Sequence, residues 1–216
     1  MTQPPEIRSF HSHFVPAAEP SRQLAVVLHG LGDSLEGFLW LPDALRIPTL
    51  NYLLLNAPSQ YPIGYSWYDI EDQEPGVLRG RALLRQLLGE LEEQGWASAG
   101  ILPFGFSQGC LMAIDFALRH DQPLAGVVGI SGYAFLPKGA ETEFHSQAAR
   151  QAWLITHGRY DPLLPLAKTR AQMERLRAAG IPIEWHEFPK EHTIDFEEEI
   201  PLLRRWIAAR FGQHLG

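Results

Sequence analysis

Gly105-Phe106-Ser107-Gln108-Gly109 stands between two segments of different periodicity. Before it, Ala99-Gly-Ile-Leu-Pro-Phe104 is a short, nearly unbroken apolar run. After it, Gln108 to Arg119 places Leu111, Met112, Ile114, Phe116, Ala117 and Leu118 in a helical pattern. The order predicts a strand, a sharp turn and a helix, with the serine on the turn. The flanking glycines let strand and helix backbones approach without a side-chain clash. Ser107 Oγ is then exposed at a helix N-terminus, where negative charge is stabilised. This is the setting of a nucleophile elbow; a glycine-rich turn with an incidental serine has no need of both neighbours.

Moving outward, the same alternation continues. Leu24–Leu28 ends at His29-Gly30, Tyr52–Leu55 at Asn56-Ala57-Pro58, Leu124–Ile130 at Ser131-Gly132, Ala152–Thr156 at His157-Gly158, and Ile181–Phe188 at Pro189. Unbroken apolar runs of this length read as strands covered on both faces, hence parallel. Helical spacing recurs over Gly76–Gln94, Pro165–Ala179 and Asp195–Phe211, the last with Phe196, Ile200, Leu203, Trp206 and Ile207 as its apolar positions. Ile7 to Val15 alternates weakly and suits an antiparallel edge strand. The expectation is an α/β three-layer sandwich with a mostly parallel central sheet, folded as a single domain over 1–216. Pro58 to Pro75 fits neither period and reads as a long functional loop holding Tyr61, Tyr65, Trp67 and Tyr68. No insertion between the strands is long enough for a large cap domain.

The 216 residues are 45% hydrophobic and 20% charged, an ordinary globular balance. A net charge of −7 offers phosphates no basic stripe, so nucleic acid is not expected as a partner. No apolar run approaches the roughly 20 residues of a membrane span, and Met1–Ser9 has no apolar core of the kind a secretory signal needs. The single cysteine, Cys110, fits a cytoplasmic location, excludes an intrachain disulfide and excludes a cysteine-rich zinc site. It lies three residues past Ser107 and should pack inside its helix.

A serine hydroxyl needs a base oriented by a third group, and after an elbow serine the acid and the histidine follow in that order. Asp161, in His157-Gly-Arg-Tyr-Asp161-Pro, sits just past a strand end and is the candidate acid. Asp115 and Asp121 read as solvated charges of the helix after the elbow, and Asp195 is the nearest rival. Of nine histidines, His192 lies between the last strand and last helix, where the base belongs. His29 and His157 precede glycines at strand ends and are expected to shape turns; His11, His13, His120, His145, His186 and His214 lie away from the candidate edge. One oxyanion donor should be the N–H of Gln108, and the second should come from His29-Gly-Leu-Gly-Asp33.

Taken together, Leu28-His-Gly-Leu-Gly-Asp33, Asn56-Ala-Pro58, Ser66-Trp-Tyr-Asp-Ile70, Gly105-Phe-Ser-Gln-Gly109, Ser131-Gly132, His157-Gly158 with Asp161, and His192 resemble the carboxylesterase/acyl-protein thioesterase family of α/β-hydrolases. The segments keep family order across residues 24–211. The resemblance implies an α/β-hydrolase fold, a catalytic triad of Ser107, Asp161 and His192, and oxyanion donors on Leu31 and Gln108. It also implies an acyl channel walled by Trp67 and its neighbours, and no cofactor. Two positions depart from the family pattern. Glu191 stands where glycine is usual, adding a charge and a side chain beside the base, and Pro162-Leu-Leu-Pro165 replaces paired valines before the proline.

Tyr65, Trp67, Tyr133, Leu163 and Leu164, with Phe135, fall at strand ends where ligands bind in open α/β sheets, and are the candidate substrate wall. The expected function is serine hydrolysis of esters or thioesters of short to medium acyl chains, on a small molecule or an acyl-protein, with a homodimer left open. The alternatives are a dienelactone-hydrolase-like lactone hydrolase, which would usually carry cysteine at the elbow, a non-catalytic ligand-binding member of the fold, and a metal hydrolase using His29, His157 and His192. The last lacks any i, i+4 histidine pair, and no metal is expected.

Overall fold

The computed structural model of the chain describes residues 3–213, so His214 lies outside the described residues. The chain runs through β1 (Ser12–Val15), β2 (Gln23–Leu28), a short helix α1 (Leu41–Leu45) and β3 (Leu50–Leu55). A hairpin of β4 (Ser59–Gln60) and β5 (Tyr65–Ser66) precedes the long helix α2 (Gln73–Glu93). Then come β6 (Ile101–Phe106), α3 (Gln108–Arg119), β7 (Val127–Ile130), β8 (Trp153–Gly158), α4 (Leu166–Ala178), β9 (Ile183–Phe188) and α5 (Glu199–Arg210). Seven strands form one sheet in the order β1-β3-β2-β6-β7-β8-β9. The β1–β3 pair is antiparallel and every other pair in the sheet is parallel.

The apolar runs dictate this arrangement. Every residue of β3 and β8 is buried, which only a sheet covered on both faces allows. Alternate residues of β2 serve opposite layers. Val26 and Leu28 pack with Leu84 and Leu87 of α2, Met112 of α3 and Met173 of α4. Ala25 and Val27 pack with Leu41 of α1 and with Leu203 and Ile207 of α5. The result is the expected three-layer sandwich with a mostly parallel sheet, and no cap stands over its C-terminal edge among the described residues. Strand order reverses between β2 and β6, where Leu28 pairs with Gly105. Their C-terminal ends therefore open the crevice in which such sheets bind ligands.

Four expectations need correction. The Pro58–Pro75 segment is not wholly irregular: Ser59 pairs with Ser66, Gln60 with Tyr65, and Asp33 bridges to Tyr65. Strands of two residues leave no periodicity to read. The last helix begins at Glu199, not Asp195, because Asp195 Oδ1 accepts the N–H groups of Glu197, Glu198 and Glu199 and caps it. Phe196, on that capping turn, is 59% exposed instead of packed. Asp115 is not a solvated charge either; it is fully buried, bound by both Arg81 and Arg119 and so tying α2 to α3.

Three buried histidines, His29, His120 and His157, are each pushed below the ordinary imidazole range, chiefly by burial. The folded chain keeps them neutral while the unfolded chain binds protons below about pH 6.5, so stability is full above that value and falls as pH drops through it. Urea unfolding midpoints should therefore decline between about pH 7.5 and about pH 5.5. A His120→Gln variant, which still offers Ser98 Oγ a hydrogen-bond partner, should show a shallower acid slope than the parent.

Candidate active site

Ser107 links β6 directly to α3 with φ 55° and ψ −115°, a conformation that costs a non-glycine residue about 1–3 kcal/mol. The surrounding backbone enforces it. Ser107 N–H donates to Ile130 O at 2.9 Å, and Gly109 N–H donates to His29 O at 3.1 Å. The first turn of α3 lies so close to β2 that a Cβ on Gly109 would stand 2.1 Å from Leu28 O, and one on Gly105 would stand 2.2 Å from Gly109 O. The two glycines of the motif are thus demanded by backbone contact.

Opposite the serine, His192 Nε2 lies 2.9 Å from Ser107 Oγ, and His192 Nδ1 lies 2.7 Å from Asp161 Oδ2. The carboxylate can only accept, so Nδ1 carries the proton and Nε2 presents its lone pair to the hydroxyl. The other oxygen, Asp161 Oδ1, accepts the N–H groups of Leu163 and Leu164 at 2.9 and 2.8 Å. Burial works to raise the Asp161 pKa, but the Leu164 and Leu163 N–H groups and the His192 ring outweigh it and hold the carboxyl below its usual range. Asp195, the rival acid, is spent on capping α5. The loop that carries His192 is anchored by a buried pair, Lys190 Nζ with both oxygens of Glu199 at 2.6 Å.

His29 and His157 shape turns, as their positions suggested. Ala57 N–H donates to His29 Nε2 at 3.0 Å, which leaves Nδ1–H to donate to Gly30 O at 2.6 Å. A trans peptide sets its carbonyl and N–H on opposite edges. Fixing the Gly30 carbonyl therefore fixes the Leu31 N–H, which no described acceptor takes, at the cavity wall. The Gln108 N–H heads α3, where helix geometry supplies no acceptor. His157 Nε2–H donates to Leu164 O at 2.8 Å and supports the turn that feeds Asp161.

A cavity of about 580 Å³ opens above Ser107 and His192. Leu31, Gln108, Tyr133, Leu163 and Leu164 line it, together with Tyr68 and Ile70. Tyr65 and Trp67 do not. Trp67 is fully buried, with its indole N–H on His29 O at 2.9 Å, and Tyr65 packs against the His29 ring from β5. Beyond the end of β5 both side chains are buried in the same core, Trp67 fully and Tyr68 at 3% exposure, and of the two Tyr68 reaches the cavity wall. The Gln108 side chain holds this segment in place: its Oε1 accepts from Trp67 N–H at 3.0 Å and its Nε2 donates to Tyr68 O at 2.9 Å. Tyr68 in turn hydrogen-bonds Tyr133, hydroxyl to hydroxyl, at 3.1 Å.

Glu191 is exposed, lines no wall of this cavity and makes no side-chain hydrogen bond or ion pair with any described residue, so it does not narrow access. Cys110 is buried, its thiol pushed up to about 12 by burial, and it offers no nucleophile. Among the described residues no group of three His, Cys, Asp or Glu side chains is placed to hold a metal ion, so His29, His157 and His192 do not form a metal-binding set.

Known proteins resemble this chain in sequence and in fold. Acyl-protein thioesterase 1 of Yarrowia lipolytica is 26% identical over 218 residues, covering 89% of this chain and 94% of the relative. Acyl-protein thioesterase 1 of Schizosaccharomyces pombe is 30% identical over 166 residues, covering 70% of this chain and 74% of the relative. The crystal structure of SOBER1 from Arabidopsis thaliana superposes with a TM-score of 0.82 over 89% of this chain and 100% of that one, at 20% identity, a likeness of fold. A family model described as Phospholipase/Carboxylesterase matches residues 11–208, nearly the whole of the sandwich and every residue of the Ser107 site, and the chain belongs to that family.

Proposed function

We propose that this hydrolase cleaves carboxylic esters or thioesters of short to medium acyl chains through an acyl-enzyme on Ser107, with His192 as base and Asp161 as its orienting acid. The observation that carries the reading is the unbroken relay from Ser107 Oγ to His192 Nε2 at 2.9 Å and from His192 Nδ1 to Asp161 at 2.7 Å. Ser107 Oγ attacks the acyl carbon as its proton passes to Nε2. The oxyanion settles on the Leu31 and Gln108 N–H groups, each worth about 10²–10³ in rate. Nε2 then returns the proton to the departing oxygen or sulfur, and water repeats the cycle on the acyl-enzyme. The apolar cavity receives the acyl chain, with Tyr133, Leu163 and Leu164 along it.

The names of the two yeast relatives favour thioesters, on small molecules or on proteins, as part of the substrate range. A lactone hydrolase of the dienelactone type is disfavoured by serine at the elbow and by the burial of Cys110. A purely ligand-binding role would not need the Ser107–His192–Asp161 alignment. The same reading takes 1–216 as one domain, supported by a seven-stranded sheet with both faces covered, and takes the cytoplasm as its location, supported by a single unpaired cysteine. Among the described residues no helix is long and apolar enough to cross a membrane.

Ser107→Ala should lower kcat by about 10⁴–10⁶ with an unchanged melting temperature. A tenth of parental activity in clean, folded protein would sink the serine mechanism.

Asp161→Asn should cost on the order of 10⁴ in kcat, because an amide no longer enforces the productive histidine tautomer. Asp195→Asn should act on stability through the α5 cap and leave kcat within a few-fold. If kinetics and thermal melts of the two variants gave the reverse assignment, the acid would have to be moved to Asp195.

A further inference from the structure

We infer that a second hollow, running from His192 to the Trp40–Phe196 ring pair, is the subsite for the departing alcohol or thiol, and that it favours aromatic leaving groups over anionic ones. The inference rests on the acyl-enzyme reading above and names the substrate class on its other side. Two hollows meet at His192. The larger holds Ser107 and both oxyanion donors. The smaller, about 300 Å³, shares His192, Phe106 and Asp33 with it and adds Gly37, Trp40 and Phe196, but contains neither donor.

Stereochemistry assigns the two. The tetrahedral carbon carries Ser107 Oγ, the oxyanion, the acyl chain and the leaving atom. The oxyanion must face the N–H donors, and the acyl chain needs the larger cavity. As the C–O or C–S bond breaks, the leaving atom takes the proton that His192 Nε2 received from Ser107, so it must stand beside Nε2. The hollow that keeps His192 and lacks the donors is the remaining direction.

Its wall is a chain of rings. Phe106 lies 5.1 Å from the His192 ring, Phe38 6.4 Å from Phe106, Trp40 6.0 Å from Phe38 and Phe196 4.8 Å from Trp40. Trp40 is fixed by its indole N–H on Gly37 O at 2.7 Å. Phe196 is 59% exposed, held out by the Asp195 cap with no core position to fill. Such a wall suits a planar apolar group through offset and edge contacts. The charges suit no anion. Asp33 lies in the hollow, and Glu191, Glu197 and Glu198 stand on the segment that carries His192 and Phe196. None of the four pairs with a cationic side chain among the described residues.

The test holds one acyl group constant and varies the leaving group. Benzyl, methoxyethyl and sulfonatoethyl esters and thioesters form three classes, aromatic, neutral aliphatic and anionic, and kcat/KM reports acylation. For the parent the benzyl substrate should exceed the methoxyethyl one by about tenfold, and the sulfonate should be the poorest at low salt. Phe196→Ala and Trp40→Ala should each cut the benzyl-to-methoxyethyl ratio by about fivefold, whereas Leu163→Ala should shift acyl-length preference and leave that ratio alone. Benzyl and methoxyethyl thiols offered as acceptors to the acyl-enzyme should partition with the same preference, since they enter by the path on which leaving groups depart. A parental ratio near one, or a ratio untouched by both ring deletions, overturns the subsite, and a sulfonate turned over as fast as the methoxyethyl substrate overturns its charge preference. Failure of every ester and thioester, with no fluorophosphonate label on Ser107, would overturn the acyl-enzyme reading instead.

Discussion

The contact between the first turn of α3 and the end of β2 governs the rest of the site. Gly109 rests on Leu28 O with no room for a Cβ, and its N–H closes on His29 O. With helix and strand held that close, the one residue between β6 and α3 has no relaxed way round, and Ser107 takes its positive φ. The same contact sets the Gln108 N–H and the His29–Gly30 turn side by side. It also aims the Gln108 side chain at the Trp67–Tyr68 backbone, and Trp67 returns a hydrogen bond to His29 O. Ser107, the Leu31 and Gln108 N–H groups and one cavity wall are therefore a single mechanical unit. Strain of about 1–3 kcal/mol at Ser107 is offset by the packing of a helix whose every residue is buried.

Asp161 and His192 come from a second unit built on the same device. A Cβ on Gly158 would lie 2.4 Å from Lys190 O and 2.5 Å from Glu191 O, so the end of β8 can meet the His192 loop only as glycine. That approach puts the Asp161 turn within hydrogen-bond reach of His192. The loop is stiffened by the Lys190–Glu199 pair, whose Glu199 also accepts the Asp195 N–H at 2.8 Å. Burial lowers the lysine pKa while the facing carboxylate opposes that fall. Removing one partner of such a pair costs about 3–5 kcal/mol, because the other charge is left buried alone. Exposed Glu191, one residue from His192, contributes nothing comparable. The backbone carbonyl at that position matters to the Gly158 contact, and its side chain does not, which is why glutamate is accepted where the resembling family has glycine.

Much of this was legible in the sequence because it is written in local patterns. Apolar runs ending at His-Gly, Asn-Ala-Pro or Ser-Gly mark strand ends on one edge of a sheet, and their order brings Ser107, Asp161 and His192 to that edge. What escaped depends on direction and depth. Nothing in Ser66-Trp67-Tyr68 says which aromatic reaches the cavity; both are buried, and the path of the chain after the two-residue strand β5 brings Tyr68 to the wall. Asp115 looks like a surface charge because its partners, Arg81 on α2 and Arg119 one turn along, meet it only after the helices pack. Phe196 reads as a helical core residue until Asp195 claims the N–H groups that would have continued the helix. The Trp40–Phe196 pair joins segments more than 150 residues apart, and no local pattern announces it.

Around this rigid centre the rim is built differently. Ile70 and Leu163 at the larger hollow and Phe196 at the smaller are 59%, 68% and 59% exposed, although a buried side chain of this size is worth about 1.5–3 kcal/mol. The fold leaves that free energy uncollected, and a substrate that covers these side chains recovers part of it. On the proposed mechanism, a molecule with an apolar group on each side of its acyl carbon covers both hollows at once, with its carbonyl at the Leu31 and Gln108 N–H groups and its leaving atom beside His192. Affinity gained far from the reacting bond is thereby tied to one orientation of that bond. Binding energy used in this way lowers the barrier through positioning, provided that the glycine-set centre does not yield when the rim closes on its ligand. The contrast between an over-determined centre and an apolar, unsatisfied rim is therefore a division of labour: the backbone fixes the chemistry, and the exposed side chains select what is presented to it.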